Sequence, residues 1–224
     1  AEVQNLLLSR EQLAPIYGRL LRAGDVGEAQ FQSTERRMGR ESIQRGTQTD
    51  SYERTFAKPL VASAEVLAVG HEGGSNLLQV TYAIPGRSLE PVAVDRGSLY
   101  TIRLRLAVFD SAGTVVASLD TTRRVLAARP VPDNENLVGR VAVPVPAGKF
   151  QYRLALQAGS ETGAVLPRQE TRVVARTAST PELSDLVMGS RRVPVTWEAA
   201  SGDTVYFNPL HTFRSGDEMQ LYYE

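Results

Sequence analysis

A regular alternation of apolar and polar side chains over residues 100–120 most constrains how this chain can fold. In its first half, every second position is apolar: Ile102, Leu104, Leu106 and Val108. Because successive side chains of a strand point to opposite faces, this period of two is typical of a half-buried β-strand. A turn-forming Asp-Ser-Ala-Gly sequence follows at 110–113, and the alternation resumes after it. The segment is therefore predicted to form a long β-hairpin.

Residues 139–157 alternate in the same way and predict a second hairpin-like pair of strands, joined by a tight turn at 146–148. Pro144 lies in the first of these strands and cannot donate a ladder hydrogen bond, which predicts a sheet edge or a bulge there. Three further segments are predicted strands: 61–69, 76–84 and 169–175. About seven short strands with turns every ~8–12 residues predict a mainly β protein, in which residues 58–176 form an immunoglobulin-like or fibronectin-like β-sandwich.

Residues 1–50 differ in character and are predicted to form a helical lead-in followed by a linker. Ser9 and Gln12 have the spacing of a capping box, and apolar residues follow them at helical spacing. Pro15 lies inside that run, where it kinks the helix or marks a later start. A second helix is predicted at about residues 26–38, and the polar stretch 39–50, which contains glycines, is interpreted as the linker.

Residues 181–224 are predicted to form a second, incomplete β module. Four short segments have strand character: 183–188, 193–197, 204–207 and 219–223. The last of them places Met219, Leu221 and Tyr223 on one face, which leaves an apolar edge that natural proteins usually cover. We therefore expect the chain to be a fragment of a longer polypeptide. The pattern leaves open whether these strands form their own sandwich or extend the first sheet.

Composition excludes several classes of site. The 224 residues include 25 Lys and Arg against 25 Asp and Glu, a formal net charge of zero, whereas nucleic-acid-binding domains usually carry a basic excess. The absence of cysteine excludes disulfides, thiolate metal sites and cysteine nucleophiles, and is compatible with bacterial export. The sequence contains no apolar run long enough to span a bilayer and no signal-peptide pattern at its start.

Motifs for catalysis or metal binding are weak. The His-Glu-Gly-Gly sequence at 71–74 begins like the zinc-protease motif, but Ser75 replaces the second histidine, so a glycine turn is predicted instead. His211 is interpreted as a turn or packing residue rather than a ligand or base. The Asp-Asn-Glu-Asn run at 133–136 offers oxygen ligands for calcium but lacks the spacing of a calcium loop, so a solvated loop is favoured. No catalytic, cofactor-binding or metal-ligating residue is assigned.

Five side chains are candidate ligand contacts, in two groups: Arg103, Arg105, Trp197, Tyr206 and Tyr222. The arginines, together with Arg123 and Arg124, would line one sheet face as a basic strip that binds an anion. The alternative is that these arginines occupy the solvent-exposed face of a strand, where their aliphatic stems cover apolar surface. The aromatic residues would form a platform on which a carbohydrate stacks, and the alternative for them is a place in a hydrophobic core.

Three segments together resemble one bacterial family. They are the turn and strand PAGKFQYRLALQ at 146–157, the Leu-Ser-Asp-Leu sequence at 183–186, and FNPLHTFRSGDEMQLYYE at 207–224. They are similar to the C-terminal portions of GWxTD-domain proteins, whose defining Gly-Trp-x-Thr-Asp motif does not occur in this chain. The resemblance, which covers roughly residues 60–224, implies export and a structural or binding role, and it carries no catalytic residues.

The leading prediction is a non-catalytic structural or protein-interaction module of an exported bacterial protein, periplasmic or extracellular, that needs no cofactor. Its partner is expected to be a protein or a second copy, bound through an edge strand. Neither a nucleic acid partner nor a transmembrane segment is expected. The alternative is a carbohydrate-binding accessory module of a secreted enzyme, with or without calcium. A sandwich by itself does not discriminate between these roles.

Overall fold

A computed structural model describes residues 56–175 and 182–224 of the chain, and these are mainly β. The helical lead-in and linker predicted for residues 1–50 lie outside the described residues. Fourteen strands occur in the described part, together with one 3-10 turn at Gly86–Ser88. In chain order they are β1 (Lys58–Pro59), β2 (Ser63–Glu72), β3 (Ser75–Pro85), β4 (Val92–Val94), β5 (Gly97–Phe109), β6 (Val115–Ala127), β7 (Asn136–Val145), β8 (Gly148–Ala158), β9 (Thr162–Val165), β10 (Gln169–Val173), β11 (Val187–Gly189), β12 (Thr196–Glu198), β13 (Thr204–Tyr206) and β14 (Gln220–Tyr222).

Seven strands form the larger sheet, sheet A, around the antiparallel pair β5 and β8. β6 pairs with the other edge of β5, whereas β9 and β10 pair with different parts of β8. The predicted hairpin over residues 100–120 is confirmed as β5 and β6, with Leu106 opposite Leu119. The alternating residues Ile102, Leu104 and Val108 are completely buried, as the period of two predicts.

Three strands form sheet B in the order β2-β3-β7. Pro144 lies in β7, which pairs only with β3 among the described strands, so the predicted edge position is confirmed. The predicted hairpin over residues 139–157 is wrong. β7 belongs to sheet B and β8 to sheet A, so the turn between them crosses from one sheet to the other. Alternation determines which face of a strand is buried, but not which strand it pairs with.

Sheets A and B enclose the larger hydrophobic core, as expected of a β-sandwich. Leu78, Leu104 and Leu154 are among its completely buried side chains, and each contributes about 1.5–3 kcal/mol by leaving water. Tyr100 is also buried, and its hydroxyl accepts a hydrogen bond of 2.7 Å from the backbone N–H of Val131. The phenol thereby satisfies its polar end within the core.

Residues 182–224, here called the C-terminal layer, pack against the outer face of sheet B. Alternate residues of β2 serve the two cores: Val66 and Ala68 point into the sandwich, whereas Leu67 and Val69 join a second core with the C-terminal layer. The C-terminal layer contributes five buried residues to that second core: Val187, Val195, Ala199, Val205 and Phe207. Sheet B is therefore covered on both faces. This explains why the polar side chain of Gln79, on its outer face, is completely buried and bound to Arg140.

The C-terminal layer contains two short antiparallel ribbons, β11 with β14 and β12 with β13. Each strand overlaps one of the four segments with strand character, but β11 begins four residues and β12 three residues later than predicted. No helix among the described residues has the length and apolar character that crossing a membrane requires.

Candidate functional site

A β-bulge near the end of β2 shapes a cleft in the described part of the chain. β2 pairs regularly with β3 as far as Ala68, and the register then shifts by one residue before His71 pairs with Asn76. Gly70 lies in the bulge with a φ of 89°, which favours glycine. A Cβ at Gly70 would lie 2.2 Å from the indole ring of Trp197, so the ring packs directly on the bulged backbone. Bulges commonly re-aim a side chain beside a functional site.

Beyond the bulge, His71 meets the end of the C-terminal layer. Its Nδ1 lies 3.3 Å from Oε2 of Glu224, and the hydroxyl of Tyr222 donates a 2.8 Å hydrogen bond to Oε1 of the same carboxylate. The backbone N–H of Glu224 donates to the hydroxyl of Ser184. Burial, followed by the hydrogen bond to Glu224 and its negative charge, raises the pKa of Tyr222 to about 12. Tyr222 therefore acts as a neutral hydrogen-bond donor at neutral pH.

The cleft has a volume of about 600 Å³ and lies where β2, the end of β10 and the C-terminal layer meet. One wall is apolar and includes Val69, Leu77 and Val173. The polar lining includes two carboxylates, of Glu182 and Glu224, along with the four side chains of His71, Asn76, Ser184 and Ser201. Glu182 already forms an ion pair with Arg172. The geometry therefore offers hydrogen-bond groups that converge beside an apolar surface.

The C-terminal layer also covers part of the free edge of β2. Oδ2 of Asp185 accepts a 2.7 Å hydrogen bond from the N–H of Ala68, and the N–H of Asp185 donates to the Ala68 carbonyl at 3.1 Å. Further along β2, Glu65 contacts Nε2 of His211 at 3.1 Å. Asp185 therefore satisfies the backbone of an edge strand that would otherwise be open to pairing. His211 has a contact that holds the layer to sheet B, compatible with its interpretation as a packing residue.

The structure brings two of the three candidate aromatic residues together. Trp197 and Tyr222 pack edge to face, with ring centroids 6.0 Å apart and an interplanar angle of 87°. Both are partly buried against the second core, so the alternative interpretation as core residues applies to them. Tyr206 follows Val205, which is opposite Trp197 in the β12–β13 ribbon, and it therefore lies on the other face of that ribbon. The three rings do not form one surface.

The candidate arginines lie on a different sheet. Arg103 and Arg105 project from the outer face of sheet A, where Arg103 binds both oxygens of Asp120 at 2.7 Å and Nε of Arg105 lies 3.4 Å from the same carboxylate. Arg124 is opposite Thr101 and shares their face. Arg123 does not, because it is opposite the buried Ile102 and so lies on the core face. The prediction that it belongs to the basic strip is wrong.

The remaining sequence candidates occupy ordinary turns and loops. Gly73 and Gly74 form the predicted turn after β2, with φ values of 55° and 84°. Glu135, in the 133–136 run, lies 3.6 Å from a guanidinium nitrogen of Arg129. No group of three or more His, Asp or Glu side chains is placed to hold a metal ion within residues 56–175 and 182–224.

The contact of His71 with Glu224 spans 153 positions and leaves no local signal in the sequence.

The outer side of the β11–β14 ribbon is an exposed apolar surface. Met188 is opposite Leu221, and the alternation places further apolar residues beside them. We call this surface the ribbon face, and it consists of Leu186, Met188, Met219, Leu221 and Tyr223. Four of these side chains are exposed: Leu186 by 47%, Met219 by 50%, Leu221 by 52% and Tyr223 by 59%. The opposite side of the ribbon faces the second core through Val187 and Tyr222.

No family model matches the chain, and no curated protein or solved structure is detectably similar to it.

Proposed function

We propose that this chain is a non-catalytic protein-interaction module of an exported bacterial protein, and that it binds its partner through the ribbon face. The observation that carries this proposal is the set of exposed apolar side chains side by side on a two-stranded ribbon. Scattered exposed apolar residues are ordinary, whereas contiguous ones commonly mark a binding surface. Full burial of one such side chain contributes about 1.5–3 kcal/mol, so a few of them suffice to anchor a partner.

Charge around the ribbon face defines the chemistry of that partner. Residues 182–224 carry seven acidic and three basic side chains, and Glu218, next to Met219, is exposed. A second ribbon face would place acidic groups against acidic groups, which disfavours symmetric self-association. The partner proposed here is a protein segment with apolar side chains flanked by lysine or arginine.

The strand order supports an immunoglobulin-like or fibronectin-like sandwich as the scaffold. With β2, β3 and β7 taken as strands A, B and E, and with β5, β6, β8 and β10 taken as C, C′, F and G, the two sheets read ABE and C′CFG. This division between sheets is the one that such sandwiches share. The resemblance to GWxTD-domain proteins and the exported location belong to the same proposal, and the lack of cysteine is compatible with both.

The test is selection from a random peptide library displayed on phage, with the folded chain immobilised. We expect the enriched peptides to combine apolar residues with flanking lysine or arginine. Their binding should be lost in the double variant Leu221→Ser, Tyr223→Ser, whose changes lie on the exposed side of the ribbon. Val92→Ser is the matched control, because Val92 is 62% exposed and lies in sheet A, away from the ribbon.

Circular dichroism and thermal unfolding establish that all variants fold. The proposal fails if no peptide is enriched, or if the selected peptides bind the double variant and the control equally well. Selection of peptides that bind on the outer face of sheet A would also overturn it.

A further inference from the structure

We propose that the cleft beside the β2 bulge binds a small organic cation, a molecule with an ammonium group attached to an apolar body. This inference goes beyond the interaction through the ribbon face and does not depend on it. At about 600 Å³ the cleft lies within the range of about 300–1,000 Å³ that small-molecule sites occupy. Its lining combines an apolar wall with a few convergent polar groups, which is the usual composition of such sites.

The backbone of the β2 bulge forms part of the cleft and is held in place by packing. Gly70 takes a left-handed backbone conformation under the indole of Trp197, and any other side chain there would collide with the ring. Trp197 is held in turn by its edge-to-face contact with Tyr222. The three residues therefore pack in a row beside the cleft, which Gly70 and Tyr222 line.

Electrostatics select a cation. Among the described residues that line the cleft there is no lysine or arginine, whereas two carboxylates are present, of which Glu182 is paired with Arg172 from outside the lining. The C-terminal layer as a whole carries seven acidic and three basic side chains. A concave site lined by one sign of charge focuses its field and concentrates ligands of the opposite sign.

Glu224 is the group proposed to bind the ammonium ion. Glu182 is already paired with Arg172, but the side-chain partners of Glu224 are the hydroxyl of Tyr222 and a ring nitrogen of His71. A carboxylate offers about four lone-pair positions, so Glu224 can accept further hydrogen bonds. The apolar part of the ligand would then lie against Val69 and Leu77.

The test is a titration of the isotope-labelled chain with three probes of the same shape, followed by NMR chemical-shift changes. The probes are cyclohexylmethylammonium, cyclohexylmethanol and cyclohexanecarboxylate. We expect only the ammonium probe to bind, with shifts confined to the end of β2, the end of β10 and β14. Equal binding of the neutral alcohol would show a site for hydroxyl groups instead and would overturn the charge argument.

Two variants locate the binding. Glu224→Gln keeps the shape of the side chain and should weaken binding of the ammonium probe about tenfold, equivalent to ~1.4 kcal/mol. Ala200→Trp should abolish it by filling the cleft, which Ala200 lines. Glu90→Gln, on an exposed carboxylate paired with Lys58 in another part of the molecule, is the control and should change nothing.

The proposal is wrong if the ammonium probe does not bind, or if its affinity is the same in Glu224→Gln as in the unchanged chain. The spectra also show whether each variant keeps its fold. The cleft is lined by Tyr222 and Glu224, whereas the ribbon face includes Leu221 and Tyr223, so the two proposals are tested by different side chains.

Discussion

The two hydrophobic cores of this molecule are held together in different ways. The sandwich core lies between long strands, of which β5 and β6 have 13 residues each and share a ladder that is regular from Ser98 to Val108. The second core lies under the C-terminal layer, whose four strands have three residues each. Backbone ladders of that length contribute few hydrogen bonds. The C-terminal layer must therefore be held in place by side-chain hydrogen bonds and by its packing on sheet B.

Side-chain amides and carboxylates replace the missing ladder. Oε1 of Gln220 accepts a 2.8 Å hydrogen bond from the N–H of Tyr206, and its Nε2 donates to the carbonyl of Thr204 at 3.0 Å. Gln220 thus joins β14 to β13 much as a neighbouring strand would. Asp185 does the same for the edge of β2. The sandwich is therefore held by long backbone ladders, whereas the C-terminal layer depends on side-chain hydrogen bonds and on sheet B. The layer carries the ribbon face and contributes one side of the proposed cleft.

The largest expected effect comes from the sandwich core. Leu104→Ala removes a completely buried side chain and should lower the free energy of unfolding by about 2–5 kcal/mol, because it leaves a cavity between the sheets. Urea unfolding monitored by circular dichroism measures this change. The exposed Val92→Ala is the control and should change stability by less than about 0.5 kcal/mol. A small effect of Leu104→Ala would show that sheets A and B are not tightly packed.

Gly70→Ala should affect the C-terminal layer and the cleft. The substitution forces a side chain into a left-handed conformation and against the indole of Trp197, at a cost of about 1–3 kcal/mol. Native-state hydrogen exchange should show faster opening of residues 182–224 while the amides of β5 and β8 keep their protection. Gly113→Ala is the control for backbone strain alone, since its φ of 80° is similar but a Cβ there meets no atom within 4 Å. Equal loss of protection in both cores would contradict the comparison.

Gln220→Ala should also destabilise the C-terminal layer, in this case by removing a side-chain hydrogen bond. It leaves the N–H of Tyr206 without its hydrogen bond, which costs about 1–3 kcal/mol for a buried donor and less here, because the pair is partly buried. Hydrogen exchange at Tyr206 reports the change directly. Gln151→Ala, on the outer face of sheet A, is the matched control and should leave both cores unchanged.

The alternating pattern predicts residues 100–120 more completely than residues 139–157. Residues 100–120 combine alternation with turn residues, so both the strands and their pairing follow from local sequence. For residues 139–157 the same alternation predicts the strands but not their separation into two sheets, because the buried face is set locally and the partner is not. The cleft could not be predicted at all. Its central contact joins His71 to Glu224 across the whole fold, and the bulge at Gly70 becomes visible only with Trp197 packed on it.

High pH should weaken both cores gradually. Burial raises the pKa of Tyr82, in the sandwich core, to about 12, and the pKa of Tyr222 is raised to about 12 as well. Between the ordinary tyrosine pKa of about 10 and that value, the unfolded chain releases these protons while the folded chain keeps them. Stability is therefore fully present below about pH 10 and falls as the pH rises towards 12.

Urea unfolding at a series of alkaline pH values measures this loss, and absorbance at 295 nm follows the ionisation of the tyrosines. Tyr222→Phe should reduce the pH dependence, because one late-titrating group is removed. An unchanged slope in this variant would show that Tyr222 ionises equally readily in the folded and unfolded chains.

The most direct test of the account is a hydrogen-exchange footprint of the chain bound to the peptide that the library selection yields. If the sandwich is the scaffold and the C-terminal layer is the binding surface, protection should appear at residues 183–188 and 219–224 while the amides of β5 and β6 are unchanged. Protection centred on the outer face of sheet A, around Arg103 and Arg105, would contradict the account and place the interaction on the other side of the molecule.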